Sequence, residues 1–281
     1  EINRESASLA AKLELDDIIV GLSDSPCYVT VKDHKGGFPG KLEFRLLNPS
    51  KTKIGIISKQ ILENINKKVR EKTGSNQWRN TQEVLQWFNT VKRSNSSSFF
   101  KFDIENYYPT INKDVLFSAL EFAKQFTNIS EFQEQIIIHA RKTFLFFNNC
   151  PWVKKEEPEF DVSMGSYDSA EISELVGLFL LHQVEKLIPQ SNIGLYRDDG
   201  LAIVNLPGPQ LDKLRKMMIK QFKQNGLRIT VESGISTTNF LDVTLDLRKK
   251  HLNLTKKATT TSNIFTYNRA THQMSKKICQ K

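Results

Sequence analysis

The stretch Gly194-Leu195-Tyr196-Arg197-Asp198-Asp199-Gly200-Leu201-Ala202-Ile203-Val204 constrains the fold more than any other part of the chain. Two apolar runs flank an Asp-Asp-Gly turn, the pattern of a β-hairpin. Asp-Gly alone is what tight turns commonly use. Turn chemistry does not explain the second acid. Two adjacent carboxylates at a turn repel each other unless a cation sits between them.

A second segment raises the same problem. Phe99-Phe100-Lys101-Phe102-Asp103-Ile104 reads as a buried strand, followed by Glu105-Asn106-Tyr107-Tyr108-Pro109. A lone carboxylate interrupts the aromatic run. Burying it unpaired costs several kcal/mol, so Asp103 is paired, exposed at the strand end, or bound to metal. An Asp at one strand end and two at a hairpin tip can converge on two metal ions. Such ions activate an attacking hydroxyl and stabilise the leaving oxygen of an in-line displacement. Phosphoryl transfer needs positioning and charge neutralisation more than a protein nucleophile, which suits three acids without a catalytic His or Cys.

The rest of the chain supplies a scaffold. Cys27–Lys32 and Glu43–Leu47 read as short strands joined by a loop rich in Gly and Pro. Ile57, Ile61, Ile65 and Val69 repeat at helical spacing up to a stop near Gly74, and Thr81 is placed to cap the next helix. Ser94-Asn95-Ser96-Ser97-Ser98 reads as a linker. Helices are expected at about 112–126 and 130–146, from Asp168 to Leu187 and from Gly208 to Asn225, with strands at Leu227–Val231 and Phe240–Leu247. Interspersed helices and strands make the class α+β with an antiparallel sheet.

Composition narrows the setting. No apolar run approaches the roughly 18 residues of a membrane span, and no signal peptide is evident at the N-terminus. The expectation is therefore a protein with no membrane partner, in the cytoplasm or nucleus. The first residue is not Met, which points to a piece of a longer protein. Cys27, Cys150 and Cys279 are far apart and odd in number, which argues against a disulfide framework. The net charge of +9 is uneven: Arg248–Lys281 holds nine basic residues and no acid, and Lys32–Lys72 holds eleven basic residues against four acidic. This is either a solvated surface with a basic tail or two electropositive walls around a polyanion.

Taken together, the Asp103 strand, the Tyr196-Arg197-Asp198-Asp199 hairpin and their order resemble motifs A and C of reverse transcriptases. Ser163-Met164-Gly165 falls where motif B belongs, and Asn225-Gly226-Leu227-Arg228-Ile229 where motif D belongs. Phe44-Arg45-Leu46-Leu47-Asn48-Pro49 resembles the fingers hairpin, and Asn239-Phe240-Leu241-Asp242-Val243 the primer grip of motif E. The style is similar to retroelements of the Penelope-like kind. The resemblance implies a right-hand polymerase fold, with fingers over 1–97 including an N-terminal extension. It implies a palm over 98–247, with fingers helices inserted at about 112–160, and a basic segment over 248–281 that is the start of a thumb or a nucleic-acid arm.

It implies RNA-directed DNA polymerase activity with an RNA (or DNA) template, a DNA primer and deoxynucleoside triphosphates as partners. Asp103, Asp198, Asp199 and the Ile104 carbonyl would hold two Mg²⁺ ions, or Mn²⁺ in their place. Arg45 and Lys35 (or Lys32) would bind the triphosphate, Gly165 would admit the nucleotide close to the backbone, and Tyr108 would gate the sugar. Tyr196, Phe240 and Leu241 would touch primer or template. Many family members have Pro-Gln-Gly where this chain has Ser163-Met164-Gly165, so the amide contact before the glycine is missing. No helical thumb, RNase H domain or endonuclease is recognised in these residues. An inactive nucleic-acid-binding remnant and an RNA-dependent RNA polymerase are the competing readings; Tyr108 argues against the second.

Overall fold

The strand expected around Asp103 organises the protein. A computed structural model describes residues 8, 27–31, 40–48, 52–142, 145–147, 150–152 and 160–248. Tyr28–Val31 (β1) and Phe44–Leu47 (β2) pair as an antiparallel hairpin. Lys53–Thr73 (α1) follows, capped by the Thr52 side chain, which accepts from the Gly55 amide, and closed at Gly74. The cap of Thr81–Thr90 (α2) lies one residue earlier than expected: Asn80, not Thr81, accepts the Glu83 amide at 3.0 Å. Ser94–Ser98 forms a turn in which the Ser94 amide donates to the Ser97 hydroxyl at 2.9 Å, and Ser98–Ile104 (β3) leaves it.

A short turn of helix, Tyr107–Thr110 (α3), leads to Lys113–Lys124 (α4) and Glu131–His139 (α5). The helix expected through residue 146 ends at His139, and Leu145–Phe147 (β4) instead pairs with Cys150–Trp152 (β5). Consecutive Leu-Phe-Phe residues suit a pleated strand better than a helix, where aromatic side chains lose rotamer freedom. Ser169–Val184 (α6), Ile193–Tyr196 (β6), Asp199–Val204 (β7), Gly208–Gln224 (α7) and Ile229–Ile235 (β8) complete the central unit. The single strand expected at 240–247 is a hairpin, Thr237–Phe240 (β9) and Val243–Asp246 (β10), broken at Leu241-Asp242. Among the described residues no helix is long and apolar enough to cross a membrane.

Four strands form one antiparallel sheet in the order β6-β7-β3-β8. Strand period two sends successive β3 side chains to opposite faces. Phe100, Phe102 and Ile104 join a large core with α1, α4, α6 and α7. Phe99 joins a second core on the other face, with Trp78, Trp87 and Phe88, Leu201 and Ile203 of β7, and Phe240, Val243 and Leu245. Phe99 is covered on one face and Phe100, Phe102 and Ile104 on the other, while Lys101 and Asp103, on the face of Phe99, are half-buried.

The large core does not stop at the Ser94–Ser98 turn. Leu62, Ile65 and Val69 of α1 lie in it beside Ile172, Leu175 and Val176 of α6. Polar contacts fix the same seam. Arg70 pairs with Glu174, Lys59 lies 3.6 Å from Glu171, and Asn66 Nδ2 donates to the Glu171 carbonyl at 2.9 Å.

Candidate active site

Strand pairing brings the first two acids together. Asp103 of β3 and Asp199 of β7 are register partners. Partners across an antiparallel pair point to the same face, roughly 4.5–5.5 Å apart at Cβ. Period two places both on the face of Phe99, Leu201 and Ile203, the side covered by the second core. Tyr196, the β6 partner of Asp199, packs against that core and is half-buried. The Ile104 amide donates to the Asp198 carbonyl at 2.9 Å, which ties the end of β3 to the hairpin tip.

The turn itself is not the expected Asp-Asp-Gly. β6 ends at Tyr196 and β7 starts at Asp199, so the two loop residues are Arg197 and Asp198. Arg197 has φ 53°, a left-handed conformation that hairpin turns usually assign to Gly or Asn. Gly200 lies inside β7, opposite Phe102 on one side and Leu195 on the other. A Cβ there would overlap the Phe102 ring. Gly200 is thus a packing requirement that lets an aromatic ring close beneath the acids. Gly200→Ala should lower stability by about 1–3 kcal/mol in urea unfolding, because Phe102 is also held edge-on by Phe222 at 5.5 Å.

The three carboxylates do not close into a ligand set. Among the described residues no group of three or more His, Cys, Asp or Glu side chains is gathered to hold a metal ion. Asp103 and Asp199 share a strand face, while Asp198 belongs to the turn. The donor set still fits a hard divalent cation: carboxylate oxygens, with a like-charged pair directly opposed across two strands.

Tyr107 and Tyr108 follow β3 on α3. Tyr107 is buried and donates its hydroxyl to the Ser173 carbonyl at 2.7 Å. Burial holds its phenol well above the ordinary range, with Tyr108 and Asp198 adding to the effect, so it remains a donor. Tyr108 is half-buried, its hydroxyl 3.4 Å from the Ser173 hydroxyl.

Gly165 is exposed at φ 105°, a conformation only glycine adopts without strain. Its loop is tied down on two sides. The Asn48 amide, just after β2, donates to the Met164 carbonyl at 2.9 Å. Asp168, at the start of α6, forms an ion pair with Arg141, and the two side chains are 0% and 1% exposed. Sequence reading missed this pair. The signal was an arginine following Ile136-Ile137-Ile138, but a charge at the end of an apolar helix is more often solvated.

The other expected contacts divide. Arg45 is exposed on β2, opposite Thr30. Lys35, Lys32 and the basic segment over 249–281 lie outside the described residues. Phe240 does not face outward: it is 1% exposed, edge-on to Trp78 at 5.5 Å. Its side chain belongs to the core because Phe240 and Val243 are partners on the inner face of the hairpin. Leu241 is partly buried at φ 51° in the turn. The hairpin nonetheless meets the acidic face of the sheet, where Lys101 Nζ donates to the Asn239 carbonyl at 2.9 Å.

By sequence, no known protein family and no curated protein matches the chain. Solved structures do match. The RNA-dependent RNA polymerase of a human picorbirnavirus superposes with a TM-score of 0.59 at 12% identity, over 82% of this chain and 46% of that one. Telomerase from Candida tropicalis in complex with a TWJ fragment of telomeric RNA gives 0.58 at 12% identity, over 91% and 48%. The fold is that of a right-hand polymerase. The chain spans about half the length of these structural relatives.

Proposed function

We propose that the protein adds nucleotides to a primer 3′ end on a nucleic-acid template. The observation that carries this reading is the register pairing of Asp103 with Asp199 beside the Arg197-Asp198 turn, on a sheet of right-hand polymerase type. In this reading residues 1–97 act as fingers and 98–247 as palm. Asp103, Asp198, Asp199 and the Ile104 carbonyl hold two Mg²⁺ ions. Bound there, the ions activate the attacking hydroxyl and stabilise the leaving oxygen.

The chain's own groups position the substrates. Arg45 neutralises the triphosphate with a planar set of donors suited to phosphate, with Lys35 as a second cation. Gly165 offers backbone without a side chain to the nucleotide. Tyr196 and the Phe240-Leu241 hairpin lie along the primer, the hairpin presenting its backbone and the Leu241 turn. Both structural relatives named above act in an RNA setting, which supports an RNA template.

Tyr108 makes the incoming sugar a deoxyribose, because a ring beside it leaves no room for a 2′-hydroxyl. Tyr108→Ala should raise ribonucleotide use relative to deoxynucleotide use by roughly 10- to 100-fold, the range of a steric pocket contact. Competition between the two nucleotides in single-turnover extension reads this ratio, and an unchanged ratio removes the gate.

The deciding experiment is primer extension on an oligonucleotide-primed RNA template with Mg²⁺ or Mn²⁺, wild type beside Asp198→Asn/Asp199→Asn. Deoxynucleotide incorporation that vanishes in the double variant supports the reading. Incorporation of ribonucleotides alone would make the protein an RNA polymerase. Binding of primer–template without any extension would make it a nucleic-acid-binding remnant.

A further inference from the structure

Nucleotide addition leaves one charged feature of the fold unused. The inner side of α7 is formed by Leu211, Leu214, Met218 and Phe222, all buried. At about 100° per residue, Lys213, Lys216, Lys220 and Lys223 fall within an arc of about 80° on the opposite side of the helix. All four are exposed. Successive lysines are three, four and three residues apart, which aligns them as one ridge about 15 Å long. Asp212 is the only acid in the helix.

None of the four lysines has an ion-pair partner among the described residues. On other helices several cations are ion-paired. Lys59 meets Glu63 and Glu171, Arg70 meets Glu174, and Lys124 meets Glu121 and Glu134. Like charges three and four residues apart weaken a helix, so the α7 ridge is self-repelling until an anion lies along it.

We infer that the α7 ridge is a second nucleic-acid site, gripping the phosphate backbone of a double-helical RNA segment outside the active-site cleft. The choice of RNA rests on the template proposed above. Phe222 packs on Phe102, so α7 covers the sheet face opposite Asp103 and Asp199. The ridge and the acids therefore cannot hold the same stretch of nucleic acid directly across the sheet.

The exposed apolar residues flanking the ridge are Met217 and Ile219, with no exposed aromatic ring on α7. Single-stranded sites stack bases on aromatic side chains, whereas a row of cations alone suits the backbone of a duplex. A lipid surface is the poorer fit. Helices that lie on membranes insert their apolar side, and that side of α7 is committed to the sheet.

The test compares Lys213→Gln/Lys216→Gln/Lys220→Gln/Lys223→Gln with a control that removes equal charge from exposed sites elsewhere, Arg79→Gln/Lys92→Gln/Lys113→Gln/Lys186→Gln. Fluorescence anisotropy follows binding of a 3′-blocked RNA hairpin between about 50 and 200 mM salt. The ridge variant should bind about tenfold or more weakly, with a salt dependence shallower by about 3 to 4 in log–log slope. The control should keep the wild-type slope. Extension of a short primer–template should be equal in the ridge variant and wild type. An unchanged slope in the ridge variant, or equal losses in both variants, overturns the assignment. So does ridge-dependent binding to anionic phospholipid vesicles or an acidic protein with hairpin affinity intact. Wild-type protein that fails to extend a primer but loses hairpin binding only in the ridge variant would sink the polymerase reading and support the ridge.

Discussion

Asp103→Asn should lower nucleotide addition by at least about 10³-fold, a loss of several kcal/mol of transition-state stabilisation. Asp103 and Asp199 are opposed across β3 and β7 on one face of the sheet. Asparagine keeps the shape of the side chain while removing its charge, so the loss reads the carboxylate itself. Activity follows from metal-dependent extension assays, and stability from urea unfolding of the same preparation. A variant that is less stable and still active would show that the carboxylate serves the strand and not the chemistry.

Arg141→Met should cost about 3–5 kcal/mol of stability. Arg141 and Asp168 are almost wholly shielded from water, so removing the guanidinium strands a carboxylate in the interior. The companion Arg141→Met/Asp168→Leu removes both charges and should recover most of the loss, since apolar residues of similar volume commonly replace a buried pair without penalty. The cycle, measured by denaturant unfolding, separates pairing from packing. Equal losses in the single and double variants would mean that shape, and not charge, matters at this seam. Because Asp168 begins α6 directly after the Gly165 loop, the single variant should also lose nucleotide affinity.

The sequence made β3, the β6–β7 hairpin and α1 legible for physical reasons. An aromatic run, apolar flanks around a tight turn, and a four-residue apolar repeat each leave one strong pattern. The exact turn was not legible. Asp-Gly is a good local turn sequence, but Gly200 is needed in the strand because the Phe102 ring occupies the space of its Cβ. The break at Leu241-Asp242 was hidden because Asp242 is the lone turn former there, and the residue that adopts a positive φ is Leu241, a type that rarely does so. Phe240 looked available to a primer until the Trp78 cluster claimed it, a contact between residues far apart in the chain. Arg141 and Asp168 are 27 positions apart, and nothing local announces that they meet.

The seam between α1 and α6 bears on how the molecule moves. Leu62, Ile65 and Val69 share a core with α6, and Arg70–Glu174 and Lys59–Glu171 latch the same joint from outside. Prising these helices apart would expose apolar surface and break ion pairs together, so the joint behaves as a weld. Any closing of the molecule around a substrate must pivot elsewhere. The β1–β2 ribbon is held differently: Tyr28, Val29, Phe44 and Leu46 are exposed on it, and the Asn48–Met164 hydrogen bond ties its base to the Gly165 loop.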